Sequence, residues 1–178
     1  MNELSAKQIG KEYMEKKPEN RQEVKESYKK LARINKYLFE QIPVNVEFVQ
    51  EDPYTPENSS SPSYELMCED IERNDNMKIF AGGSEPEYLN HRQNIIGRAV
   101  HDFYGHYLFQ CPFTLEGEFR KWHNMREFYP EDVVQLLFSE VVCQTCEVIY
   151  LGGFSEKFVQ NPVYPKPEWI EYFNDKYL

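Results

Sequence analysis

Arg98-Ala99-Val100-His101-Asp102-Phe103-Tyr104-Gly105-His106-Tyr107-Leu108-Phe109 is the stretch on which the reading of this chain turns. Apolar and aromatic residues recur through it at helical spacing, so residues 92 to 109 are predicted to form a buried helix. That helix carries two imidazoles and a carboxylate into an apolar setting, where unpaired polar groups are costly. A metal ion is one partner that satisfies them. A step of five residues turns an ideal α-helix by about 500°, so His101 and His106 would diverge by about 140°. Gly105, just before His106, is the residue that lets the helix loosen and swing the second ring back.

Working outward, residues 131 to 150 form a second strongly apolar helix, opened by Pro130 and by Glu131 and Asp132 in its first turn, and closed by Gly152-Gly153. Glu140 lies in its middle, among Leu136, Leu137, Phe138, Val141 and Val142. A carboxylate there needs a partner; metal ligation is the first reading and a salt bridge to Arg98 the alternative. Two His and one carboxylate with open positions make the facial set of non-haem Fe(II) sites. The metal ligands read from the sequence are therefore His101, His106 and Glu140. Fe(II) is the first choice of ion, with zinc or nickel as occupants acquired on purification. Between the two ligand segments stand Glu118 and His123, read as proton-transfer groups; a helix-start role for Glu118 and a core role for His123 are the competing readings. Asp102 is expected to support the ligands from behind.

The rest of the chain reads as mainly α with a minor two-strand element: one helical domain spanning 1–178, with the metal site between helices. Helices are predicted over 19–42, 64–73, 116–128 and 167–176, and short strands over 44–48 and 78–80. Residues 1–18 are expected to be a flexible lead-in. Residues 50–63, with three prolines and four serines, make a loop long enough to act as a lid. Cys143 and Cys146 form a C-x-x-C inside an apolar helix, without a second such pair, and read as buried thiols.

Composition narrows the function classes. The 178 residues carry a net charge of −10 and are 15% aromatic, which opposes both disorder and non-specific nucleic-acid binding. The basic group around Lys25, Lys29, Lys30 and Arg33 reads as the solvated face of a helix. The N-terminus lacks a secretory signal, and no apolar run approaches the roughly 20 residues of a span. A cytoplasmic protein acting on a small molecule, without nucleic acid or membrane, is the expectation.

His101-Asp102-Phe103-Tyr104-Gly105-His106 followed by Phe138-Ser139-Glu140 resembles the iron site of the pterin-dependent aromatic amino acid hydroxylases, which carry a His-Glu-x-x-Gly-His segment and a later Glu in a helix rich in Phe and Val. The resemblance runs from Arg98 to Val148 and implies His101, His106 and Glu140 as iron ligands, and an oxygenase. Asp102 stands where that family has Glu. Arg98 to Asp102, Gly117-Glu118, Tyr129-Pro130, Phe138 to Glu140 and Gln144 are also similar to a group of uncharacterised bacteriophage and mobile-element proteins. That group pairs an R-A-V-H-D-x-x-G-H segment with a later G-E and T-E-x-x-G-Q. It implies a bacterial or phage-infected host cell. Two other classes stay open. One is a metal-dependent phosphohydrolase of the His-Asp type, for which His91 and Asp132 are the nearest additional residues. The other is a non-catalytic interaction protein with a structural metal.

Overall fold

The computed structural model describes residues 4–17, 21–59, 61–83, 87–153, 157 and 160–178. The helices that frame the site come first. α4 (His91–Val100) opens on a capping box, the Asn90 side chain accepting from the Gln93 backbone and the Gln93 side chain accepting from that of Asn90. It runs without a break into a π-helical segment, His101–Leu108. α5 (Leu115–Met125) starts at Thr114, whose hydroxyl accepts from Gly117 N, and ends in a single 3-10 turn, Arg126–Phe128. α6 (Glu131–Phe138) follows Pro130, widens into a second π segment, Ser139–Cys143, and continues as α7 (Gln144–Leu151) up to Gly152 in the left-handed conformation.

The expected lead-in at the N-terminus is a packed helix. α1 (Ala6–Glu15) is capped by Ser5 and buries Ile9, Gly10 and Tyr13 against α7. A Cβ on Gly10 would lie 2.2 Å from the Cys146 carbonyl oxygen, so this glycine permits the close approach. Alternating charges hid the stripe, because its only large buried side chains are Ile9 and Tyr13. α2 (Arg21–Phe39) buries Val24, Tyr28 and Leu31 against α4 and α6. α8 (Pro167–Tyr177) places Trp169 and Phe173 in the main core, where Phe173 stacks on Phe119 at 5.5 Å.

The two short strands form a parallel pair, β1 (Asn45–Val49) with β2 (Asn76–Phe80), in register from Asn45 opposite Asn76 to Val49 opposite Phe80. α3 (Tyr64–Asn74) connects them, as a parallel pair requires. A second, smaller core of Tyr54, Met67, Ile71, Met77, Ile79, Ala99 and Phe103 seats this unit on the His-bearing helix. The mainly α architecture with one minor sheet matches the reading of the sequence.

The continuous helix Glu131–Leu151, 21 residues with mean hydropathy 1.3, has the length and composition to cross a membrane, which the reading by apolar runs did not expect. Here it is the central helix of the core, burying Val133, Leu136, Phe138, Val142 and Cys146. All four cysteines are free, and Cys143 and Cys146 are buried.

Candidate metal centre

The two histidines converge because the helix widens under them. In a π turn the hydrogen bond closes from i to i+5, so the fifth residue returns above the first. His101 and His106 thereby place their Nε2 atoms 2.9 Å apart, where an α-helix would point the rings away from each other. Gly105 serves this arrangement differently from the expectation. An ideal Cβ on it would lie 2.2 and 2.3 Å from Cδ and Cγ of Lys121, so the missing side chain is a channel for the lysine stem.

His106 is fully buried, with Phe113 edge-on at 4.6 Å between ring centroids. Its Nδ1 lies 2.6 Å from the Cys111 carbonyl oxygen. A carbonyl only accepts, so Nδ1 carries a proton and Nε2 is the ring atom turned toward the site. This is how metal-ligating histidines are held. His101 is one-third exposed to the adjoining cavity. Burial, reinforced by the Lys121 ammonium, holds its pKa well below the usual histidine range, so the ring is neutral.

Carboxylates surround the pair. Glu118, from the first turn of α5, sets Oε1 3.2 Å from His106 Nε2 and Oε2 3.6 Å from His101 Nε2. Asp102 Oδ1 lies 4.0 Å from His101 Nε2. Ligand atoms of His101, Asp102 and His106 all fall within 4.8 Å of one another, a cluster able to hold a metal ion. Burial raises the Asp102 pKa. For Glu118, Lys121 and the two imidazoles outweigh the cost of burial and pull its pKa down. Its Oε2 accepts no hydrogen bond in the described structure, although Lys121 Nζ is 2.9 Å away. His106 Nε2 and Glu118 Oε1, 3.2 Å apart, both face the site, where a metal ion could join them.

Glu140 stands across the cavity. Its carboxylate accepts from the Tyr28 hydroxyl and from Gln144 Nε2 at 3.0 Å, and it is not among the three residues of the cluster. Burial drives its pKa up to about 7, against the lowering effect of those two hydrogen bonds. Arg98, the alternative partner read from the sequence, donates instead to the carbonyls of Phe80 and Gly82 at 2.8 and 2.6 Å. His123 lies one turn beyond Glu118. Its Nε2 is 3.1 Å from Arg126 Nη2, and it does not line either cavity described below.

Two adjoining cavities, of ≈620 and ≈420 Å³, share His101, Asp102, Glu140 and Gln144 in their walls. Asp52, Pro53, Tyr54, Ser61 and Pro62 of the loop after β1 line the smaller one together with His106 and Glu118. Among the nearby aromatics, Phe113 lines the smaller cavity and Trp122 the larger; Phe103 belongs to the second core and the Tyr104 hydroxyl donates to the Leu38 carbonyl.

The residue that sequence reasoning missed is Lys121. It is 1% exposed, with Nζ 2.6 and 2.8 Å from the two ring nitrogens of His101. Its pKa is lowered by burial and supported by Glu118. A signal existed: helical spacing puts Lys121 on the face of Phe119, Trp122 and Met125, all buried, where a lysine needs a counter-charge. Comparison with known proteins finds no matching family model, no matching curated protein and no matching solved structure.

Proposed function

We propose that the cluster binds one divalent metal ion through His101 Nε2, His106 Nε2 and a carboxylate oxygen, Glu118 being best aimed and Asp102 beside it. We further propose that the site performs hydrolytic or hydration chemistry on a small substrate in the adjoining cavity. The observation that carries this reading is the convergence of His101 Nε2, His106 Nε2 and Glu118 Oε1, separated by 2.9 and 3.2 Å, on two helices with His106 locked by the Cys111 carbonyl. A divalent ion at such a site supplies Lewis acidity and lowers the pKa of a water it holds.

The chain's own residues do the rest. Glu140, with a pKa near 7, accepts and returns a proton at neutral pH. Tyr28 and Gln144 fix the direction of its carboxylate. Phe113, Val141 and Val148 give the cavity an apolar wall, which limits water around the reacting groups.

The donor set of imidazole and carboxylate accommodates Fe(II), Zn(II) and Ni(II). A second reading, a non-haem Fe(II) oxygenase, is favoured by the two-imidazole, one-carboxylate composition. It takes Asp102 or Glu118 as the carboxylate more readily than Glu140, whose oxygens are committed to Tyr28 and Gln144. Metal analysis of protein purified without affinity-column metal or chelator tests the shared core of both readings. About one equivalent of a transition metal, lost in His106→Ala, is the expected result; protein that neither carries nor takes up metal overturns it. Oxygen uptake by the Fe(II)-loaded protein, absent in His106→Ala, would select the oxygenase over the hydrolytic reading.

A further inference from the structure

We infer that Lys121 is a resident cation at the candidate metal centre, and that a divalent ion enters only by displacing its ammonium into the adjoining cavity. The inference rests on the metal-binding reading and concerns what sets the affinity of that site.

Lys121 Nζ lies among the groups that would hold the ion: 2.6 and 2.8 Å from the ring nitrogens of His101 and 2.9 Å from Glu118 Oε2. With the ammonium there, His101 already has a donor for its lone pair. Lys121 Nζ is within donating distance of both His101 ring nitrogens, so it can take the lone pair of that ring whichever nitrogen holds it, and His106 Nδ1–H donates to the Cys111 carbonyl. A metal ion bound at His101 Nε2 needs that same lone pair, because an uncharged imidazole has only one to give. The lysine contact and the metal bond cannot both be kept.

Charge points the same way. Asp102 and Glu118 balance one divalent ion and leave an ammonium beside it without a counter-charge, in a site where burial weakens screening. The position of Lys121 is built rather than incidental. Its stem crosses the helix through the space that Gly105 leaves open, and any other residue at 105 would meet it. A route out exists as well, because Lys121 lines the larger cavity, into which its ammonium can move.

Titrating metal-free full-length protein with Co(II) alone, followed by calorimetry and by the Co(II) absorption bands, tests this. Wild type is compared with Lys121→Met, which keeps the stem and removes the charge, and Lys121→Arg, which keeps a charge; circular dichroism checks the fold. Removing the resident cation should tighten Co(II) binding by about tenfold or more, and Lys121→Arg should bind no tighter than wild type. Lys121→Gln carries the same test if the Met variant does not fold. Wild-type binding that is equalled or weakened in the neutral variants overturns the inference while leaving the metal site standing. No Co(II) binding by wild type or any variant overturns the metal site and the inference together. Binding by the neutral variants alone would overturn the displacement, because the ion would then not enter the wild-type site at all.

Discussion

Two π-helical segments face one cavity and have opposite characters. His101–Leu108 gathers two imidazole nitrogens with the Glu118 carboxylate and the Lys121 ammonium within hydrogen-bond reach. Ser139–Cys143 presents one acid, Glu140, whose oxygens have a tyrosine hydroxyl and an amide to accept from. Both segments give up regular α geometry, and such widened turns occur preferentially at functional sites. The widening brings side chains to the cavity in each case. What those side chains then do depends on their partners: crossed charges and lone pairs on one side call for a cation, and neutral donors in a buried setting on the other side tune an acid.

The largest effect that would break this contrast lies on the histidine side. His106→Ala should weaken divalent-metal binding by about a thousandfold or more, ~4 kcal/mol, because it removes a direct ligand. Any rise in Tm on adding Zn(II) to wild type should vanish in the variant. Calorimetry and thermal melts check both, and unchanged affinity would move the cation site elsewhere.

The acid side predicts a pH signature. The Glu140 pKa is raised from 4.5 to about 7 in the folded protein. Between those values the native state binds more protons than the unfolded chain, so stability is fully present below about 4.5 and declines as pH rises toward 7. The contribution is at most about 3 kcal/mol. His101, held near 3, and Asp102, raised to about 6, add slopes of their own, so this contribution is read as the difference between wild type and Glu140→Gln in denaturant unfolding of metal-free protein between pH 5 and about 7.5; the variant should gain stability relative to wild type as pH rises. A variant with the same pH profile as wild type would separate Glu140 from this behaviour.

Gly105→Ala sharpens the comparison sterically. The new methyl would meet the Lys121 stem at 2.2 Å, and overpacking of this kind costs about 1–3 kcal/mol. Chemical denaturation measures it. A neutral result would mean that the lysine stem relocates freely. His123→Ala is the smallest expected change. His123 contacts Arg126 rather than the imidazole pair, so metal affinity should be unaltered and stability within about 0.5 kcal/mol of wild type; a loss of affinity would bring His123 into the site.

Much of this molecule is written in local pattern. The helices from Arg21, Tyr64, Glu131 and Pro167 begin and end close to where apolar spacing, Pro130 and Gly152 place them. The strand pair was visible as two short apolar runs, though its parallel sense became visible only with α3 packed across it. At the site, the importance of His101, His106 and Glu118 was legible because buried polar residues in apolar helices demand partners. Lys121 was overlooked since a lysine in a charged sequence looks solvated until its face of the helix is known to be buried.

The chain's own periodicity and residue chemistry thus determined the helices, their order and the presence of imidazoles and acids in the interior. Which of those groups meet was decided only in three dimensions. Whether a helix stays α or opens to π depends on the neighbour pressed against it, here α5 crossing at Gly105. That choice turned two diverging histidines into a facing pair. It also left Glu140, the acid that spacing had joined to them, on the far wall of the same cavity, held there by a tyrosine from α2, 112 residues away in sequence. Local sequence sets what each segment prefers, while contacts between distant segments supply the energy that selects among nearly equal backbone forms.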